Sequence, residues 1–104
     1  MIYKLVVYVP YSALSSMKQA LFDANAGQYG NYDQCSWQAL GEGQFRPLIG
    51  SNPYLGQQGE VEEVREWRLE VRVAEPDLHQ VIAALRESHP YEEPAYDVIP
   101  CLDI

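Results

Sequence analysis

Val61-Glu62-Glu63-Val64-Arg65-Glu66-Trp67-Arg68-Leu69-Glu70-Val71-Arg72-Val73 is the stretch that decides the fold. From Glu66 onward it alternates without a break. Trp67, Leu69, Val71 and Val73 point one way, and Glu66, Arg68, Glu70 and Arg72 point the other. Successive side chains of a strand project from opposite faces, so this period of two gives one apolar face for a core and one charged face for solvent. The charged row also discourages pairing with stray strand edges.

Working outward, Ile2 to Val9 reads as a strand rich in β-branched residues, with only Lys4 interrupting it. Pro10 ends that strand. Ser12 is a helix cap by type, and Ala13, Leu14, Met17, Ala20, Leu21 and Ala24 recur at helical spacing, with Gly27 placed to stop the helix. After the turn-rich run Gln28–Asp33, Cys35, Trp37 and Ala39 alternate as a half-buried strand that Gly41-Glu42-Gly43 interrupts. Gly50 to Gly59 is a loop by composition, long for so small a chain, and long ordered loops often carry function. Beyond the decisive strand, Pro76 suits a first helical turn, and Leu78, Val81, Ile82 and Leu85 form a buried stripe. His89-Pro90 ends that helix, Ala95 to Ile99 forms a last strand, and an apolar tail follows through Leu102 and Ile104.

The order is βαββαβ. Right-handed crossovers then give a ferredoxin-like α+β sandwich in a single domain, residues 1–104: a four-stranded antiparallel sheet with both helices on one face. The other face needs cover, from Trp37 and the tail or from another subunit, and a homo-oligomer is therefore expected.

With 47% hydrophobic residues among 104, the chain can build one core. Its net charge of −8, with no run of Lys or Arg, argues against nucleic acid and anionic membranes as partners. The opening apolar run is too short for a membrane span and lacks a signal-peptide cleavage site, so a cytoplasmic location is expected. Cys35 and Cys101 form no metal or redox pattern and read as small buried hydrophobes.

The densest chemistry lies in Ser88-His89-Pro90-Tyr91-Glu92-Glu93-Pro94-Ala95-Tyr96-Asp97. Two prolines fix φ and hold the intervening side chains at lower entropic cost. His89 with Glu92 and Glu93 is a candidate set for a divalent metal ion, the one cofactor considered, or an anchor for a polar ligand. The bland alternative is a rigid turn with a helix-capping His and solvated carboxylates. His79 reads as a surface residue. Glu60, Glu62, Glu63 and Glu66 read as a solvated strand face beside Arg65 and Arg68. Gly41-Glu42-Gly43-Gln44-Phe45 lacks the third glycine and the Lys-Ser/Thr pair of a phosphate loop, so a bend is the simpler account. No Ser, Cys or His spacing argues for a nucleophile with its base, and no catalytic residue is assigned.

Three of these stretches carry a family resemblance. Ala26-Gly27-Gln28-Tyr29-Gly30-Asn31-Tyr32-Asp33-Gln34-Cys35-Ser36-Trp37 is similar to the G-x-x-G-N-Y-x-x-C-S-[FW] motif of the Nif-three-like, YqfO-type proteins. Gly41-Glu42-Gly43-Gln44-Phe45-Arg46-Pro47 and His89 to Asp97 are similar to two later motifs, with Glu63 and Glu66 at acidic positions between them. In bacterial members of that family the matching region is a domain inserted in a larger metal-binding protein. The insert resembles the PII and CutA proteins, which are trimers.

The resemblance implies a stand-alone insert domain, a trimer, and ligand-binding roles for Tyr32, Cys35, Gly41, Gly43, Glu63, Glu66 and Tyr91, with His89, Glu92 and Glu93 as metal ligands in an intersubunit cleft. The family's dinuclear metal site and its GTP cyclohydrolase-type activity sit on the flanking domain. No position here matches those ligands, so a non-enzyme is expected. The leading expectation is a trimeric regulatory module for a small molecule or divalent metal. A protein–protein assembly module is the alternative, and a metal-dependent hydrolase the third.

Overall fold

The computed structural model describes Met1–Ile104. Strand β1 (Ile2–Pro10) leads through a 3-10 turn (Tyr11–Ala13) into helix α1 (Leu14–Asp23). Strands β2 (Trp37–Phe45) and β3 (Glu62–Ala74) follow, then a second 3-10 turn (Glu75–Asp77), helix α2 (Leu78–Ser88) and strand β4 (Tyr96–Cys101). The sheet order is β2-β3-β1-β4 and every neighbouring pair is antiparallel. This is the ferredoxin-like arrangement that the alternation at Glu66–Val73 calls for. No helix is long and apolar enough to cross a membrane.

The registers show why the alternation works. Leu5 faces Val71 and Val98, and Val7 faces Leu69 and Tyr96, so one face of the sheet collects aliphatic side chains. Met17 and Leu21 from α1 and Val81 and Leu85 from α2 close over them, all fully buried. Each such side chain removed from water contributes roughly 1.5–3 kcal/mol, which makes this layer the main source of stability. Trp67 lies at the margin of the layer. Its ring stacks on Tyr11 at 5.8 Å and its indole N–H donates to the Tyr11 carbonyl at 3.1 Å.

The opposite face is charged, as its residue types require. Glu70 accepts from Lys4 at 3.1 Å and from Arg68 at 3.0 Å, and Val6 is buried beneath these side chains. The cover expected from Trp37 and the tail is absent. Trp37 is 58% exposed, Leu102 is 89% exposed and Ile104 is fully exposed, so neither Trp37 nor the tail shields this face.

Several local expectations need correction. Ser12 does not cap α1, which is entered through the 3-10 turn and has no side-chain cap bond. The left-handed residue just past α1 is Asn25 (φ 79°), before Gly27 is reached. Gly41-Glu42-Gly43 does not interrupt β2, which runs through both glycines in register with β3. Cys35 and Cys101 are half-buried, outside the core their residue type suggests. Finally, β4 extends through Pro100 to Cys101; as an edge strand it can hold a proline whose missing N–H faces outward.

The β2–β3 pairing outruns β1. The last pair of β1 is Pro10 with Glu66, while β2 and β3 continue to Phe45 with Glu62. This overhang helps stretch the molecule to 46 × 25 × 24 Å. At the other end of the sheet Ile2 pairs with both Ala74 and Cys101, so the two chain ends lie together and far from the overhang.

A candidate ligand groove

At the overhang the charged face of the sheet meets two irregular segments. One is the 46–61 loop, whose base is closed by the Gly59 N–H donating to the Pro47 carbonyl at 2.7 Å. The other is the turn after α2. They are joined where the Asn52 N–H donates to both carboxylate oxygens of Glu92, at 3.0 and 3.2 Å. Together with Tyr8 and Glu66 they enclose an open cavity of about 730 Å³. That is within the usual size of small-molecule sites.

His89 anchors the turn. It caps α2 through its own N–H to the Leu85 carbonyl at 2.9 Å, and it is only 6% exposed, the one buried residue with a polar side chain. Its Nε2 lies 2.7 Å from the Tyr8 carbonyl, which can only accept, so Nε2 carries the proton. Its Nδ1 then accepts from the Tyr91 N–H at 3.1 Å. Both nitrogens are used, and the ring is fixed as a neutral tautomer. Burial pushes its pKa below the ordinary imidazole value, against the opposing pull of the Tyr8 carbonyl and the Glu66 charge.

Tyr91 is the centre of the groove. Its hydroxyl donates to Glu66 Oε2 at 3.0 Å, and its ring has Phe45 at 6.0 Å, Tyr54 at 6.1 Å and His89 at 5.0 Å, all tilted. Burial, then the neighbouring Glu66 charge, pushes its phenol far above the ordinary tyrosine range, so it remains a donor. Gly43 explains how Glu66 reaches it. A Cβ at position 43 would overlap the Glu66 carboxylate, so a side chain there would displace that group. Gly43 thus supplies space, and its backbone needs no positive φ.

The sequence-derived site residues divide between the two ends of the sheet. His89, Tyr91, Glu92, Glu93, Glu66 and Gly43 come together at the groove, with Gly41 paired to Glu66 in the adjoining strand. Glu63 pairs with Gln44, and the alternation of β3 turns its side chain to the face opposite Glu66. Tyr32 and Cys35 lie elsewhere. The Tyr29–Tyr32 bridge closes a small turn, and the Cys35 N–H donates to the Gly27 carbonyl at 2.8 Å, beside Arg72 and the chain ends. From Glu66 to Arg72 along β3 is roughly 20 Å at the usual strand rise. No three His, Cys, Asp or Glu side chains converge as a metal-ligand group. His89 has no free nitrogen for a metal, and Glu92 is held by Asn52. The residues that sequence reasoning missed are Tyr8, Phe45, Asn52 and Tyr54. Position on β1 placed Tyr8 with the charged face, but nothing in the sequence announced which loop residues fold back onto it.

This sheet order, with both helices on one face, is the ferredoxin-like α+β fold that CutA/PII-like proteins share. A divalent cation tolerance protein (CutA1) from Thermus thermophilus superposes with a TM-score of 0.71 over 99% of this chain and 86% of its own, at 20% identity, which establishes the fold alone. The sequence is narrower in its likeness: it matches one domain of the NIF3-related proteins. Over 99 residues it is 46% identical to the GTP cyclohydrolase 1 type 2 homolog of Halalkalibacterium halodurans, covering 95% of this chain and 27% of that protein. A Bacillus cereus protein related to NIF3 superposes with a TM-score of 0.85 at 38% identity, covering 98% of this chain and 26% of that one. The chain therefore spans about a quarter of the length of the curated relatives it matches. No protein-family model matches it.

Proposed function

We propose that this chain is a small-molecule-binding regulatory module without catalytic activity, working as a homotrimer in the cytoplasm. One observation carries the reading. Two of the three motif stretches and the 46–61 loop converge, from distant parts of the sequence, on a single groove of ligand size. Its walls are aromatic, and its polar groups are already oriented by hydrogen bonds. Preorganisation of this kind lowers the cost of ordering a site when a ligand arrives. The trimer rests on the likeness to PII and CutA proteins, with two open sheet edges and exposed Trp37, Ile49 and Leu102 available for contact. Catalysis by the larger relatives is a property of whole proteins about four times this length, and the groove has no nucleophile–base pair to support it here.

The test is a thermal-shift survey of the wild type and Tyr91→Ala with nucleotides, divalent metal chlorides and small amines. The expected result is stabilisation of the wild type by at least one small organic molecule and loss of that response in the variant. Sedimentation velocity should give a trimer. If metal ions alone stabilised the protein, and did so equally in Tyr91→Ala, the groove would have no part in its function.

A further inference from the structure

We infer that the groove takes an organic cation, an amine or quaternary ammonium group; this rests on the groove being the binding site. Three carboxylates line it, Glu66, Glu92 and Glu93, against a single cation, Arg46. Arg46 neutralises none of them, because both ion pairs of the molecule are made by Glu70 on the sheet face. The aromatic side is equally unfilled. The rings that already carry an arginine are Tyr11, Tyr29 and Tyr96, all outside the groove. Phe45, Tyr54 and Tyr91 have none. Phe45 and Tyr54 each pack against Tyr91, at 6.0 and 6.1 Å, so the three rings make one continuous aromatic side of the groove for a cation to lie against.

Electrostatics then discriminates among ligands. A phosphate or carboxylate would enter against three negative charges, whereas an ammonium gains both carboxylate and π-face attraction in a partly desolvated site. Glu66 is the residue best set to touch the cation directly. Tyr91 holds one of its oxygens, and the other, Oε1, lies over the bare Cα of Gly43. Glu92 is tied to Asn52 and serves the field of the site more than direct ligation.

The experiment is calorimetric titration of the full chain with choline, with dimethylbutanol as its neutral isostere, and with adenosine triphosphate. Choline should bind and the other two should not. Glu66→Gln and Tyr54→Ala should each weaken choline by about tenfold, the scale of removing one carboxylate or one π-face from around a partly desolvated cation. Circular dichroism establishes that both variants remain folded. Equal binding of the isostere, or binding of adenosine triphosphate that Tyr54→Ala abolishes, would overturn the cation assignment while the groove stood as a ligand site. No binding by any of the three, together with an empty thermal-shift survey, would remove both readings.

Discussion

Both ends of the sheet carry motif residues, yet they use them differently. At the end where the chain termini meet, Gly27 donates to the Arg72 carbonyl at 2.8 Å and accepts from Cys35, and both interactions are backbone to backbone. The motif there shapes the path from α1 into β2. At the far end side chains make the contacts: the Tyr91 hydroxyl donates to Glu66 at the wall of an open volume, and the His89 ring behind them bridges the Tyr8 carbonyl and the Tyr91 N–H. An unusual local sequence can thus serve chain geometry in one place and chemistry in another. The two cases are told apart by which atoms meet.

The largest expected effect tests the structural end. Gly27 has φ +83°, and a Cβ there would lie 2.8 Å from the Cys35 carbonyl oxygen and 3.0 Å from the Phe22 ring. Gly27→Ala should therefore lose about 3 kcal/mol in urea denaturation, from left-handed strain plus a close approach that cannot yield. Groove ligands should bind it unchanged at temperatures where it remains folded.

Next comes His89→Ala, which strands the Tyr8 carbonyl and the Tyr91 N–H and should cost about 2 kcal/mol. The same residue sets a pH dependence. Its pKa is depressed in the folded state, so the unfolded chain takes up the proton first as pH falls. Stability should be full above the ordinary imidazole value of 6.5 and decline as pH drops below it, before the carboxylates titrate. His89→Gln should flatten the denaturation profile between pH 6.5 and the carboxylate range, where 6.5 is the ordinary value. An identical slope in both proteins would mean that the imidazole is not held neutral.

Smaller again is Gly43→Ala. The group that must move is the end of a flexible Glu66 side chain, so the cost should be about 1 kcal/mol, the worth of one hydrogen bond. What should change is Tyr91. With Glu66 displaced, its phenol should titrate at lower pH in ultraviolet absorbance, though burial keeps it above the ordinary value of 10.0. An unmoved titration would mean that Glu66 is not seated over Gly43.

Much of this fold was legible because period-two alternation needs only neighbouring residues. Trp67 to Val73 fixed the faces of β3, and the apolar stripe of Leu78, Val81, Ile82 and Leu85 fixed α2. Gly43 could not be read in the same way. Its reason lies in a carboxylate on the next strand, and only the cross-strand register reveals that pairing. The sequence pointed to His89, Tyr91 and Glu66 one at a time. Their union depends on how the 46–61 loop closes and on β3 overrunning β1, which are long-range facts. Composition likewise cannot say that both imidazole nitrogens of His89 already have partners.

The smallest expected effect bears on the oligomer. Cys35 is half-buried, and its thiol makes only a long approach to the Asp33 carbonyl, 3.6 Å, while its backbone holds the chain path. Cys35→Ser should therefore shift stability by less than about 0.5 kcal/mol in denaturant titrations. Within one subunit it should also leave choline binding untouched, since Cys35 lies at the end of the sheet away from the groove. A variant of unchanged stability that nonetheless bound choline more weakly would show that the near end of one copy closes the groove of another. Tyr32 and Cys35 would then belong to the site after all, through assembly and not through the fold of a single chain.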